Sequence, residues 1–210
     1  MLEEREVFFR KAIGWVLRER TGVKRARGTT GEGGNVKVAV QARTAFGDEL
    51  DVPNQPQGRV FTIGYEGATP TSLVQALVDH GVVRVVDVRY LPNSRRRGFS
   101  KSSLAAALAE AGIRYEHVRA LGTPPETRRA RRDGLSWPEF ERRYGEHMAG
   151  QGEALETVAA WARTAPVALL CLEADAASCH RSIVARALVE AGAASDVVHL
   201  QPHPADRAET

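Results

Sequence analysis

Reactive side chains crowd one stretch of the chain, Leu169-Leu170-Cys171-Leu172-Glu173-Ala174-Asp175-Ala176-Ala177-Ser178-Cys179-His180-Arg181-Ser182. An apolar run opens it and a helical pattern follows it, so its polar residues fall in a strand-to-helix connection. Cys179 then stands at a helix N-terminus, where backbone amides and Arg181 favour a thiolate. His180 beside it can carry a proton at neutral pH. With Cys171 and Glu173, four chemically active side chains fall within a dozen residues. Core packing alone does not ask for that density; the bland alternative is a buried strand cysteine followed by an ordinary helix start.

Three chemistries compete for this stretch. A loop running from a nucleophilic Cys to a closing Arg, as in phosphatases and rhodaneses, fails on spacing: the sixth residue after Cys171 is Ala177, and Arg181 follows Cys179 by only two. A zinc site would draw on Cys171, Cys179 and His180, but the Cys-x-x-Cys pair of a structural knuckle is absent. No residue is therefore assigned to a metal and no cofactor is expected, with a divalent metal left open. A redox-responsive pair of Cys171 and Cys179 is the third.

Two other strand ends carry polar residues. Thr62-Ile63-Gly64-Tyr65-Glu66-Gly67 sets Tyr65 and Glu66 in a turn that its glycines permit. Val85-Val86-Asp87-Val88-Arg89 places a carboxylate in an apolar run, where it needs a partner or a function. Arg89, two residues on, shares its face and is the structural partner at hand. Then come Arg95-Arg96-Arg97-Gly98-Phe99-Ser100-Lys101, which join charge, an aromatic surface and a helix start in a way that suits phosphate, against the plain alternative of a solvated charged face. A second basic cluster, Arg128, Arg129, Arg131 and Arg132, follows Pro124-Pro125, a pair that delays any helix there.

The elements that must position these residues are legible as alternating patterns. Strands are predicted at Val60–Ile63, Val82–Val88, Ile113–Val118, Val167–Leu172 and Val197–Leu200. Helices are predicted at about Thr71–His80, Ser102–Ala111, Trp137–Met148, Glu153–Arg163 and Arg181–Ala191. Strand and helix in alternation imply an α/β layered domain over residues 59–200, with a mostly parallel sheet of about five strands and helices on both faces. Residues 3–20 carry an amphipathic helical pattern, and the Gly- and polar-rich stretch to Gly58 is a linker, so residues 1–58 form an N-terminal helix and linker. Residues 201–210 are a flexible tail.

Composition narrows the class. Of 210 residues, 43% are hydrophobic and 26% charged, which excludes a disordered or low-complexity chain. No apolar run is long enough to span a membrane, and acids occupy the start where a signal peptide would be basic, so cytoplasm is the expected location and no membrane partner is expected. Two cysteines are too few for a disulfide framework. Lysine supplies only four of 29 basic residues; a bias to arginine suits bidentate phosphate recognition and also follows from a GC-rich genome. A net charge of +3 permits a polyanionic partner without requiring one.

The motifs TIGYEG, VVDVRYLPNSRRRGFSK, GIRYEHVRALGTP and LLCLEADAASCHRSIVARAL, in this order, resemble the domain of unknown function 488 family. The resemblance covers about Val60 to Glu190 and departs from the pattern at Leu172 and at Thr123-Pro124-Pro125. It implies an α/β fold and transfers no settled reaction. Separately, VFFRKAIGWVLRE is similar to one helix of the HEAT-repeat DNA alkylation repair family, about a dozen residues and too few for a repeat array, as in a fusion remnant; no glycosylase activity is expected from it.

A parallel sheet brings the polar ends of its strands to one edge, where open α/β sheets place ligands. The expected site has Glu66, Asp87, Cys179 and His180 as catalytic groups. Tyr65, Arg89, Arg95, Arg97, Lys101, Arg181 and Ser182 are expected to bind a phosphate-bearing small molecule or nucleic acid. The expected class is a hydrolase acting on a nucleotide-like substrate. The alternative is a non-catalytic anion- or nucleic-acid-binding module in which the basic clusters and Phe99, Tyr115 and Trp137 contact backbone and bases.

Overall fold

A computed structural model describes residues 58–202. The predicted N-terminal helix, most of the linker and all but the first two residues of the tail lie outside the described residues. Five strands, β1 (Val60–Gly64), β2 (Arg84–Asp87), β3 (Arg114–His117), β4 (Val167–Cys171) and β5 (Val197–Leu200), form one sheet in the order β3-β2-β4-β1-β5. Every pairing is parallel. Six α-helices connect them among the described residues: α1 (Pro70–Asp79), α2 (Lys101–Glu110), α3 (Pro125–Arg132), α4 (Trp137–Ala149), α5 (Gly152–Thr164) and α6 (His180–Glu190). The expected layered α/β architecture is present.

The central strands β1 and β4 are buried along their whole length because both faces of the sheet are covered, as all-parallel sheets require. Alternate residues divide between two cores. Phe61, Ile63, Val85, Ala168 and Leu170 pack with Leu73 and Leu77 of α1 and Leu104 and Leu108 of α2. Val60, Val86, Val167, Leu169 and Cys171 pack on the other side with Phe140 and Tyr144 of α4, Val158 of α5 and Ile183 and Val184 of α6. The connection leaving β1 thus runs over one face and that leaving the adjacent β4 over the other, the switch in direction beside which open α/β sheets place ligands.

One element departs from expectation. Pro124-Pro125 does not delay a helix: Pro124 is the N-cap of α3 and Pro125 its first residue. Proline suits that position, since its fixed φ is helical and the amide it lacks would have no partner inside the helix. No helix among the described residues is long and apolar enough to cross a membrane.

Candidate functional site

Past its last paired residue, β4 continues as a loop held to the end of β1. The Tyr65 amide donates to the Cys171 carbonyl at 3.2 Å and the Glu66 amide to that of Leu172 at 2.8 Å. The backbones here are close enough that only glycine fits at position 64: a Cβ there would lie 1.8 Å from the Glu173 carbonyl oxygen. The exposed Glu66 carboxylate accepts the Ala174 amide at 3.1 Å, and Gly67 turns the chain with φ of 80°. Arg181, fully buried, clamps the same loop from below, donating to the carbonyls of Glu173 and Ala174 at 2.5 and 2.9 Å and to Thr62 Oγ1 at 3.3 Å.

This framing holds four reactive side chains together. The thiols of Cys171 and Cys179 both donate to one oxygen of Glu173, Oε2, at 2.9 and 3.0 Å. His180 Nδ1 lies 3.8 Å from the Cys171 sulfur and 4.0 Å from that of Cys179. Its other nitrogen, Nε2, donates to the Val88 carbonyl at 2.8 Å, so a strand end fixes the ring. The Tyr144 ring meets the imidazole edge-on at 5.3 Å. One potential ligand atom from each of Cys171, Glu173, Cys179 and His180 lies within 4.8 Å of the others, a grouping able to hold a metal ion. Both cysteines are free thiols.

The electrostatics are those of buried charge sharing. The hydrogen bond with Cys179, then burial, then the charges of Cys179 and Glu173 hold the Cys171 thiol well above its ordinary value. Burial acts to raise Cys179 as well, but hydrogen bonds with Cys171 and His180 and the charges of His180 and Arg181 outweigh it, and the thiol is held well below. Burial and the charge of Cys179 raise Glu173. Burial opposes a charged His180, yet its contacts with Cys179 raise it overall. Cys179 is the N-cap of α6, as the sequence predicts, although its side chain caps no helix amide and turns instead to Glu173.

The other predicted residues gather elsewhere. Asp87 is completely buried, and three Arg89 N–H contacts and the Arg89 amide surround its carboxylate, with the Tyr115 hydroxyl donating at 2.6 Å. Arg89 also donates to Tyr65 Oη and to the Phe99 carbonyl, both at 3.0 Å, and Tyr65 stacks on Phe99. Burial first, then the charge of Asp87, pushes the Tyr115 phenol above its ordinary value. All of this lies on the α1 and α2 face, opposite the cysteines. Arg96 reaches back to the carbonyls of Tyr65 and Ala68 at 3.2 and 3.4 Å, whereas Arg95, Arg97 and Lys101 are exposed. Lys101 borders a shallow depression of about 480 Å³ lined also by Pro92, Ser94 and Ser100, apart from the cysteine cluster. Ser182 donates to the Cys179 carbonyl at 2.7 Å.

The structure thus joins Cys179 and His180 with Cys171 and Glu173, two residues that the predicted site omits although they belong to the same dense stretch. It sets Asp87 and Arg89 apart from them. Tyr115 is the further partner of Asp87, and the sequence offers for it only an aromatic in a strand. The family model described as Domain of unknown function DUF488 matches residues 69–188, inside the range of the motif resemblance. Neither curated proteins nor solved structures provide a match.

Proposed function

The chain belongs to the domain of unknown function DUF488 family, and from that premise we propose that it is an enzyme, a hydrolase whose reaction centre is the cluster of Cys171, Glu173, Cys179 and His180. One observation carries this: two buried thiols converge on one oxygen of a half-buried carboxylate, and a buried imidazole faces both sulfurs. Groups whose protonation is shifted by burial and by one another weaken a fold while suiting proton transfer, and they concentrate at functional sites. Glu173, the least buried of the four and shifted upward, is the proton carrier. Arg89 and Arg181 act as positioning residues, since their guanidinium groups hold loops in place.

The substrate in this proposal is phosphate-bearing, nucleotide-like or nucleic acid. Its support is the exposed basic set Arg95, Arg97 and Lys101 that follows β2. A reducing compartment such as the cytoplasm, which keeps both cysteines as thiols, fits the site.

The test is release of inorganic phosphate from nucleoside mono-, di- and triphosphates, and of free base from nucleoside monophosphates, by the unaltered chain and by Glu173→Gln. The expected result is turnover on one class, reduced roughly 10²- to 10⁴-fold in the variant, the usual contribution of a general acid or base. Absence of turnover on every compound, with salt-sensitive binding of an oligonucleotide, would favour the binding-module alternative. The exposed Arg128, Arg129, Arg131 and Arg132 of α3 support that second reading.

A further inference from the structure

We infer that Cys171, Cys179 and His180 form a three-ligand site for a thiophilic divalent cation of the zinc type, with the fourth position open toward Glu173. This deepens the proposed function, on which its catalytic half rests; the binding half stands on geometry alone.

The first observation is spacing. Metal–sulfur and metal–nitrogen bonds of about 2.3 and 2.0–2.1 Å in a tetrahedron put sulfur and nitrogen about 3.6 Å apart. His180 Nδ1 lies 3.8 and 4.0 Å from the two sulfurs. Small inward movements would therefore complete the coordination without moving a backbone element.

The second is the orientation of the ring. A histidine that binds a metal through one nitrogen almost always donates its other N–H to a carboxylate, a backbone carbonyl or water, which fixes both tautomer and direction. His180 does this through Nε2 to the Val88 carbonyl, so Nδ1 is the nitrogen aimed at the sulfurs. The bond crosses from α6 to the end of β2, which makes the ligand's direction a property of the sheet rather than of the loop.

The third is charge. Both thiols are aimed at one oxygen of Glu173, within a site whose two cysteines are only 3% and 1% exposed. A divalent cation entering there would form two metal–sulfur bonds and displace to solvent two of the protons shared among Cys171, Cys179, Glu173 and His180. The net charge of the buried cluster is unchanged by the exchange, so it incurs no new uncompensated burial of charge.

Access decides the role of Glu173. His180 is 6% exposed, and of the four residues only Glu173 is half-buried, so the open position faces outward past its carboxylate. Three protein ligands with one open position is the pattern of catalytic rather than structural zinc sites. A metal held there would supply a bound water of lowered pKa, and Glu173 is the carboxylate placed to accept its proton. The chain reaches this set without a Cys-x-x-Cys pair because the end of β4 supplies one ligand and the start of α6 the other two.

The test uses the full chain, purified under reductant, stripped with a chelator and titrated with Zn²⁺ alone, then with Co²⁺ as a spectroscopic substitute. The expected results are one Zn²⁺ per chain, two protons released per metal, and both thiols protected from a thiol reagent. The Co²⁺ form should show a thiolate-to-cobalt charge-transfer band with intense tetrahedral visible bands. Glu173→Gln should keep the metal and these bands while losing turnover. Cys179→Ser should weaken the charge-transfer band; if that variant fails to fold, thiol protection and the Co²⁺ spectrum of the unaltered chain decide between the outcomes. Thiols that stay reactive under saturating Zn²⁺, or a Co²⁺ spectrum without charge transfer, would overturn the inference. Turnover that survives complete stripping would overturn it while leaving the proposed enzyme standing. Metal bound as described with no turnover would do the reverse.

Discussion

Two polar clusters occupy the same edge of the sheet on opposite faces, and their hydrogen bonding differs in kind. Around Asp87 every contact is closed: the carboxylate meets Arg89 and Tyr115, and Arg89 in turn holds Tyr65 and the Phe99 carbonyl. Around Glu173 one oxygen is shared by two thiols, with an imidazole standing by at near-coordination distance. A buried ion pair with all its partners fixes backbone position, here the loop that leaves β2. A cluster whose reactive groups face one another leaves those groups without a counter-ion of their own, which is the arrangement the proposed site uses. Polar residues at similar places thus form a closed structural knot on one face and, in the proposed function, a reaction centre on the other.

The largest effect is expected at Asp87. Asp87→Asn leaves Arg89 as a buried charge lacking its counter-ion, and breaking such a pair costs about 3–5 kcal/mol. Urea unfolding should show the loss directly, and a loss under about 1 kcal/mol would show that Asp87 is not the structural member of the two.

Gly64→Ala attacks the other cluster through its frame. Its Cβ would stand 1.8 Å from the Glu173 carbonyl, against backbone rather than a yielding side chain. Overpacking of this sort costs about 1–3 kcal/mol, and the loop carrying Glu173 must move. Reactivity of Cys171 and Cys179 toward a thiol reagent should rise in the variant; unchanged reactivity would mean that the turn at β1 does not position the cluster.

Legibility in the sequence follows the same divide. The central strands β1 and β4 stand out because burial on both faces makes them apolar almost throughout, and the density of Cys171, Glu173, Cys179 and His180 marks the candidate site. What the sequence leaves open is the face. Asp87 pairs with Leu170, one residue before Cys171, so the carboxylate and the cysteine point to opposite sides of the sheet. A register shifted by one residue would bring them into a single cleft, and no local pattern in either strand distinguishes the two arrangements. Arg181 reads as an anion binder because nothing in its neighbours announces that two carbonyls of its own loop will occupy it. Helix α3 escapes notice because two prolines in succession look like a break, though one caps the helix and the other begins it.

Smaller effects separate the two clusters further. Tyr115→Phe removes one hydrogen bond to a charged carboxylate, a loss of about 1.5–3 kcal/mol at most and less for this partly exposed ring. The phenol's pKa is raised in the folded protein by burial and by Asp87, so the folded state keeps a proton that the unfolded state gives up near pH 10. Its contribution is therefore full below that pH and declines as pH rises toward the shifted value. The alkaline fall in stability should be shallower in Tyr115→Phe, and identical slopes in the two proteins would remove Tyr115 from the closed cluster. Arg95→Ala and Arg97→Ala should change stability by no more than about 0.5 kcal/mol, because both side chains are exposed. If they line the approach to a phosphate-bearing ligand, its affinity should fall in these variants and depend less on salt.

The division between a structural and a chemical face is decided by equilibrium urea unfolding of metal-free Asp87→Asn and Glu173→Gln side by side. Glu173 has a raised pKa because burial opposes its charge, and a neutral glutamine still accepts a thiol hydrogen bond. Glu173→Gln should therefore unfold at or slightly above the wild-type midpoint, with Asp87→Asn far below it. A Glu173→Gln midpoint as low as that of Asp87→Asn would make the cysteine cluster a second structural knot and contradict the assignment of chemistry to that face.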